Sequence, residues 1–156
     1  MKRITDLKTR RGGVQGVSQD ASVEEAVRKF FDTDVGSVVV YDGEKLVGIF
    51  TKNDLVRCCA RHPDGIRNVK VAQYMKRNPH TASTHDNLDD VIEVMIAKGF
   101  RHVPILEHGR AVGMVTPIDI LEHQKGLLRR ELQRAHRDYP DYPEGRNPIR
   151  NYPRGR

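Results

Sequence analysis

The sequence predicts an α+β fold made from one unit used twice, each copy running strand, helix, strand, strand, helix. Three observations carry that expectation. The stretch Val47-Gly48-Ile49-Phe50-Thr51-Lys52-Asn53-Asp54-Leu55 returns sixty-five residues later as Val112-Gly113-Met114-Val115-Thr116-Pro117-Ile118-Asp119-Ile120, with Val, Gly, Thr and Asp in register. The register runs upstream without a gap, so that Val23, Ala26, Val27, Phe30 and Phe31 fall on Leu88, Val91, Ile92, Met95 and Ile96, and Val38, Val40 and Tyr41 on Val103, Ile105 and Leu106. Within each copy the apolar spacing is helical first and strand-like afterwards. A duplication of this length is a structural unit repeated, and it organises every later expectation.

Taken in order, residues 1–13 read as a lead-in with a short turn at Ile4 to Leu7, and Val14 to Ser18 as a strand. Ser22 with Glu25 three residues on has the form of a helix capping box, and Asn87 with Asp90 stands at the same offsets in the second copy. The apolar residues that follow recur at i, i+3, i+4, i+7 and i+8, which predicts an amphipathic helix with Phe31 and Ile96 on its buried stripe. Ser37 to Tyr41, the turn dipeptide Asp42-Gly43, and Lys45 to Phe50 predict a β-hairpin, repeated as His102 to Leu106, His108-Gly109 and Arg110 to Val115. Pro104 lacks the N–H that a ladder needs and is expected near an edge or a strand end. A second helix runs from Asp54 to about Arg61, ahead of His62-Pro63-Asp64-Gly65, and its partner from Asp119 toward Arg137. Between the copies, Val71 to Met75 predicts a short helical turn.

A three-stranded sheet with two helices on one face leaves its other apolar face bare, and a unit this small is marginal alone. Packing two copies about a pseudo-twofold axis covers both faces and leaves a cleft between them. The expected boundaries are 1–65 for the first copy with its lead-in, 66–123 for the linker and second copy, and 124–156 for a helical extension and tail.

Of the net charge of +6, +5 belongs to that tail: residues 124–156 carry nine Lys/Arg against four acids. Tyr139-Pro140, Tyr142-Pro143 and Tyr152-Pro153 among Gly and Arg predict flexible, extended chain there. No apolar run has the length of a membrane helix and the amino terminus has no signal-like stretch, so a cytoplasmic protein without membrane contact is expected. Cys58 and Cys59 are adjacent, a poor arrangement for a bridge or a metal site, and read as buried thiols on a helix. The seven histidines show no His-x-x-x-His spacing and no Gly-rich phosphate loop is present, so neither an enzyme nor a metal protein is expected.

Two readings fit Thr51-x-x-Asp54 and Thr116-x-x-Asp119. Thr with an acid three residues on, where a strand becomes a helix, is a capping box, and Pro117 suits the first helical position. The same geometry also serves a nucleotide: a helix N-terminus attracts phosphate, a Thr hydroxyl can donate to it, and a carboxylate one turn inward can accept from ribose hydroxyls.

Residues 4–123 as a whole resemble a tandem pair of CBS domains, a Bateman module. The likeness is carried by Val35 to Gly43 and Leu46 to Leu55 in the first copy, and by Val71 to Met75, Asn78-Pro79, Gly99 to Ile105 and Val112 to Ile120 in the second. The resemblance implies a stand-alone regulatory module that binds an adenine nucleotide of the AMP, ADP or ATP type between its repeats and senses energy or metabolite state. It implies two related pockets. In one, Asp119 holds the ribose and Thr116 the phosphate, with Gln15, Gly16, Val35, Gly36 and Ser37 around the base. In the other, Asp54 and Thr51 take those roles, with His80, Thr81, Phe100, Arg101 and His102. Arg101 and His102 read equally well as phosphate-binding cations or as a solvated arginine and a packed strand-end histidine. The nucleotide is a regulatory ligand, with no further cofactor. A homodimer of stacked modules and an unidentified protein target are the implied partners. The alternative is an interaction protein whose basic tail binds nucleic acid or an acidic partner while the cleft is unused; nucleic acid is the less expected of these.

Overall fold

The computed structural model describes residues 3–6, 14–33 and 36–138; Val35 and the Tyr-Pro tail lie outside the described residues. The chain divides into two compact units, residues 1–121, which hold both repeats, and residues 122–156. The first repeat runs β1 (Gly16–Ser18), α1 (Val23–Thr33), β2 (Ser37–Asp42), β3 (Lys45–Thr51) and α2 (Lys52–Arg61). A short strand, β4 (Lys76–Arg77), follows, and the second repeat runs β5 (Ala82–Ser83), α3 (Leu88–Lys98), β6 (Val103–Glu107), β7 (Arg110–Val115) and α4 (Pro117–Asp138). This is the α+β arrangement that the duplication predicts.

In each repeat the first strand pairs parallel with the second across a helical connection, and the second pairs antiparallel with the third. The duplication reaches fine detail: both hairpins shift register at matching places, between Val40 and Tyr41 and between Ile105 and Leu106. The turns differ. His108 and Gly109 both take positive φ, as a type I′ turn demands, whereas Gly43 alone does so in the first hairpin.

Side-chain alternation explains the uninterrupted apolar strands. Val38, Val40 and Phe50 point toward Val23, Ala26, Phe30 and Cys58 on the helices, with Phe30 and Phe50 stacked at 5.9 Å. Their neighbours Val39 and Ile49 point the other way and meet Met114 of the second repeat, with Tyr41, Leu46 and Ala111 packed around them. The two sheets thus cover one another's outer faces, and each large side chain buried there contributes about 1.5–3 kcal/mol. Two polar contacts tie the same seam: the Ala111 N–H donates to Tyr41 Oη at 3.0 Å, and Arg110 pairs with Glu44 at 2.6 Å.

Several expectations need correction. The first sheet has four strands, because β4 adds antiparallel to β3 through Gly48 and Ile49. Phe31 and Ile96 are exposed, at 84% and 77%. At about 100° per residue, position i+8 lies about 90° from the centre of the stripe, which leaves it at the rim. Cys58 is buried but Cys59 is exposed, since neighbours on a helix cannot share one face. Pro104 is the second residue of β6, near a strand end as expected, yet β6 is the middle strand of its sheet. It is tolerated because β6 pairs with β5 only from Ile105 onward. Ser22 Oγ accepts from the Glu25 N–H at 3.1 Å as a cap should, whereas Asn87 accepts from Asp89 and donates its side-chain amide to Asp90.

The lead-in contributes a 3-10 turn, Ile4–Asp6, that belongs to the second core. Ile4 is 2% exposed among Leu88, Val91, Met95 and Val115, and its N–H donates to the Asp86 carbonyl. In residues 122–138 the helix exposes Lys125, Arg129, Arg130 and Arg134. No helix among the described residues is long and apolar enough to cross a membrane.

Candidate functional site

Thr51 ends β3 and caps α2, so the strand-to-helix corner places it by backbone geometry alone. Its N–H and hydroxyl both donate to Asp54 Oδ2, at 2.9 and 2.6 Å, completing a capping box. Asp54 Oδ1 accepts from the Arg57 guanidinium at 2.6 Å. Asp54 is 1% exposed and Thr51 8%, so this is a buried carboxylate whose two oxygens are both engaged. The second copy repeats the box, with the Thr116 N–H and hydroxyl donating to Asp119 Oδ2, but there both residues are only half-buried. Position 122, the counterpart of Arg57, is Glu122.

A cavity of about 780 Å³ opens at the Thr51 corner. From the first repeat Gly36, Ile49, Thr51, Lys52 and Asn53 line it. Gly36 receives the Lys52 N–H on its carbonyl, and a Cβ at position 36 would stand 2.7 Å from Lys52 Cδ. The second repeat contributes Phe100, Arg101 and His102, delivered by the end of α3. There Gly99 takes φ 66°, its N–H donates to Ile96 and that of Phe100 to Met95, a Schellman turn that aims the following residues at the cavity. His80 stacks on Phe100 with ring centroids 5.9 Å apart. The linker supplies Lys76, Arg77, Asn78 and Pro79. Burial holds His102 below the ordinary histidine pKa, Lys76 and Arg101 push the same way, and Asp54 opposes them.

Of the residues singled out in the sequence, the structure gathers Gly36, Thr51, His80, Phe100, Arg101 and His102 around one cavity, with Asp54 one hydrogen bond behind Thr51. Thr81 is not among its lining residues. Gly16 borders a different cavity, of about 510 Å³, with Tyr41 and Arg110, and Gln15 accepts a hydrogen bond from Lys29. Ser37 is buried and its Oγ has no hydrogen-bond partner among the described residues. Thr116 and Asp119 stay together at the start of α4, and Val35 lies outside the described residues. Sequence reasoning missed Lys52, Asn53, Lys76 and Arg77. The first two lie inside the Thr-x-x-Asp motif, which is a usable signal, whereas nothing local marks Lys76 and Arg77, which arrive with β4.

The CBS domain model matches residues 9–61 and 71–126, each match covering one repeat. This chain belongs to the CBS-domain family. Among curated relatives, the CBS pair is 29% identical over 107 residues to MJ1225 of Methanocaldococcus jannaschii, covering 68% of this chain and 38% of that protein. The chain, tail included, is 30% identical over 151 residues to YlbB of Bacillus subtilis, covering 94% and 95% of the two chains. Among solved structures, the CBS-domain protein ATU1752 of Agrobacterium tumefaciens superposes with a TM-score of 0.65 at 31% identity, over 73% of this chain and 85% of that one. The CBS pair of MJ0100, solved with 5-methylthioadenosine and S-adenosylmethionine, gives 0.70 at 24% identity over 81% and 98% of the two chains. CBSX2, solved with AMP, gives 0.68 at 20% identity over 81% and 98%. At the last two identities the likeness is one of fold.

Proposed function

We propose that this CBS pair is a regulatory module that binds an adenosine-containing ligand in the cavity at Thr51, rather than a catalyst. The observation that carries the reading is a cavity of about 780 Å³ that joins the N-terminus of α2 and its Thr51–Asp54 box to an aromatic and cationic wall from the other repeat. Ligand pockets commonly span about 300–1,000 Å³. Solved CBS pairs of the same fold hold AMP, or 5-methylthioadenosine and S-adenosylmethionine, which supports the adenosyl class.

In this reading the ribose hydroxyls donate to Asp54 Oδ1 and the Arg57 guanidinium swings away. The Arg57 side chain is 64% exposed and free to leave, and the ribose hydroxyls replace its hydrogen bond so that the buried carboxylate keeps a donor on Oδ1. The Phe100 and His80 rings offer an adenine a face to stack on, and Arg101 and His102 meet phosphate. Thr116 and Asp119, with Gln15, Gly16, Val35 and Ser37, form the related second site of the proposal, whereas Gly36, expected there, lines the cavity at Thr51 instead. Because the ligand touches both repeats, it favours one mutual orientation of them, to the extent that it binds that orientation more tightly.

The homodimer is part of the proposal. Phe31 and Ile96 occupy matching positions of the two repeats, as do Val56 and Leu121, and all four are exposed, at 84%, 77%, 68% and 61%. An apolar set duplicated about a pseudo-twofold axis is suited to a self-complementary contact with a second copy.

Thermal shift with adenosine, AMP, ADP, ATP and S-adenosylmethionine tests the ligand reading. A ligand at a hundred times its Kd stabilises by about 2.7 kcal/mol. Asp54→Ala is expected to abolish most of that shift. If Asp54→Ala and Asp119→Ala both leave the affinity intact, the site is elsewhere.

A further inference from the structure

The cavity at Thr51 is lined by Lys52, Lys76, Arg77 and Arg101, and no Asp or Glu is among its lining residues. Among the described residues none of Lys52, Lys76 and Arg101 forms an ion pair, although Arg28, Arg57, Arg67, Lys70 and Arg110 all do. Cations gathered without carboxylates repel one another, and the depressed pKa of His102, driven partly by Lys76 and Arg101, is a local sign of that field. A polyanion relieves it.

The duplication shows that most of this charge is not inherent in the fold. The register that carries Thr51 onto Thr116 carries Lys52 onto Pro117, Asn53 onto Ile118, His80 onto Gln15, Arg101 onto Gly36 and His102 onto Ser37, while Lys76 falls on another cation, Arg11, which lies outside the described residues. The corner at Thr116 thus keeps the Thr–Asp box but has uncharged residues where the Thr51 corner has a lysine and two histidines.

We infer that the cavity at Thr51 is specific for a nucleotide with two or more phosphates, whose polyphosphate chain lies on Lys52, Lys76 and Arg101, and that such a nucleotide binds once per chain. The inference rests on the proposed adenosine site and adds the ligand's charge and its stoichiometry. It sets this CBS pair apart from a binder of S-adenosylmethionine, whose sulfonium would enter a positive field.

Isothermal titration in EDTA, with adenosine, AMP, ADP, ATP, S-adenosylmethionine and inorganic triphosphate as probes, decides it. Affinity is expected to rise from AMP to ADP to ATP, by about tenfold or more overall, with one ATP per chain and a steeper salt dependence for ATP than for AMP. The exposed double variant Lys52→Ala/Lys76→Ala, its fold checked by circular dichroism, should lose about tenfold for ATP and little for adenosine. Equal affinities for AMP and ATP, tighter binding of S-adenosylmethionine, two equivalent ATP sites, or an equal loss for every ligand in the double variant would each overturn the inference while leaving an adenosine site. Triphosphate matching ATP, or no response to any adenosine compound, would instead remove the adenosine site itself.

Discussion

At the scale of single residues, His102 ties the cavity to pH. Its folded pKa lies below the ordinary histidine value, with burial the largest cause and Lys76 and Arg101 next. The unfolded chain therefore binds the proton more readily. Stability is unaffected by this group above about pH 6.5 and falls as pH drops through that value toward the folded pKa. The melting temperature is expected to decline on acidification in that window, and His102→Gln should flatten the decline; an unchanged slope in the variant would show that other groups dominate. An anionic ligand beside His102 works the other way by favouring the charged imidazole. Nucleotide binding is thus expected to take up a proton near pH 6, measurable by titration calorimetry in buffers of different ionisation enthalpy. Cys58 and Cys59 show how little sequence adjacency says about environment: burial raises the thiol pKa of Cys58, while Cys59 faces solvent one residue on.

At the scale of elements, the critical joint is where β4 meets β3. Gly48 pairs with Arg77, and a methyl group there would collide with Met75 Sδ and stand 3.2 Å from the Lys76 carbonyl. Gly48 is therefore required by close packing, and the strand it admits is the one that brings Lys76 and Arg77 to the cavity. Gly48→Ala is expected to destabilise by about 1–3 kcal/mol, several degrees in a thermal melt. It should also weaken nucleotide binding by displacing β4. A melt within a degree of the parent would mean that Met75 relaxes freely. The helices and hairpins were legible in the sequence because their signals are local: caps, turn dipeptides and apolar spacing. β4 was not, since two charged residues in a linker have no periodicity and pair only because Gly48 leaves room.

At the scale of the whole molecule, the duplicated exposed residues Phe31 and Ile96 are the measurable consequence of the pseudo-twofold design. Sedimentation velocity is expected to show a dimer, and Phe31→Asp/Ile96→Asp to shift it toward monomer with little change in secondary structure. A parent that sediments as a monomer across the micromolar range would leave those residues as rim positions of two helices. The site divides along the same line as the fold. Thr51, Asp54, Arg101 and His102 could be singled out from the repeat and its family resemblance. That Gly36 shares a cavity with Arg101 while Thr81 does not could only come from the packing of one repeat on the other.

By itself the sequence determined the repeat, the order of elements in each copy, the two Thr–Asp corners and the family, because each of these is written in residue type and spacing along the chain. Tertiary structure alone decided that Ile4 completes the second core, that β4 joins the first sheet, and that four cations converge on the Thr51 corner. These depend on distances between residues far apart in the chain, where steric fit and summed charge act and no local pattern records the outcome.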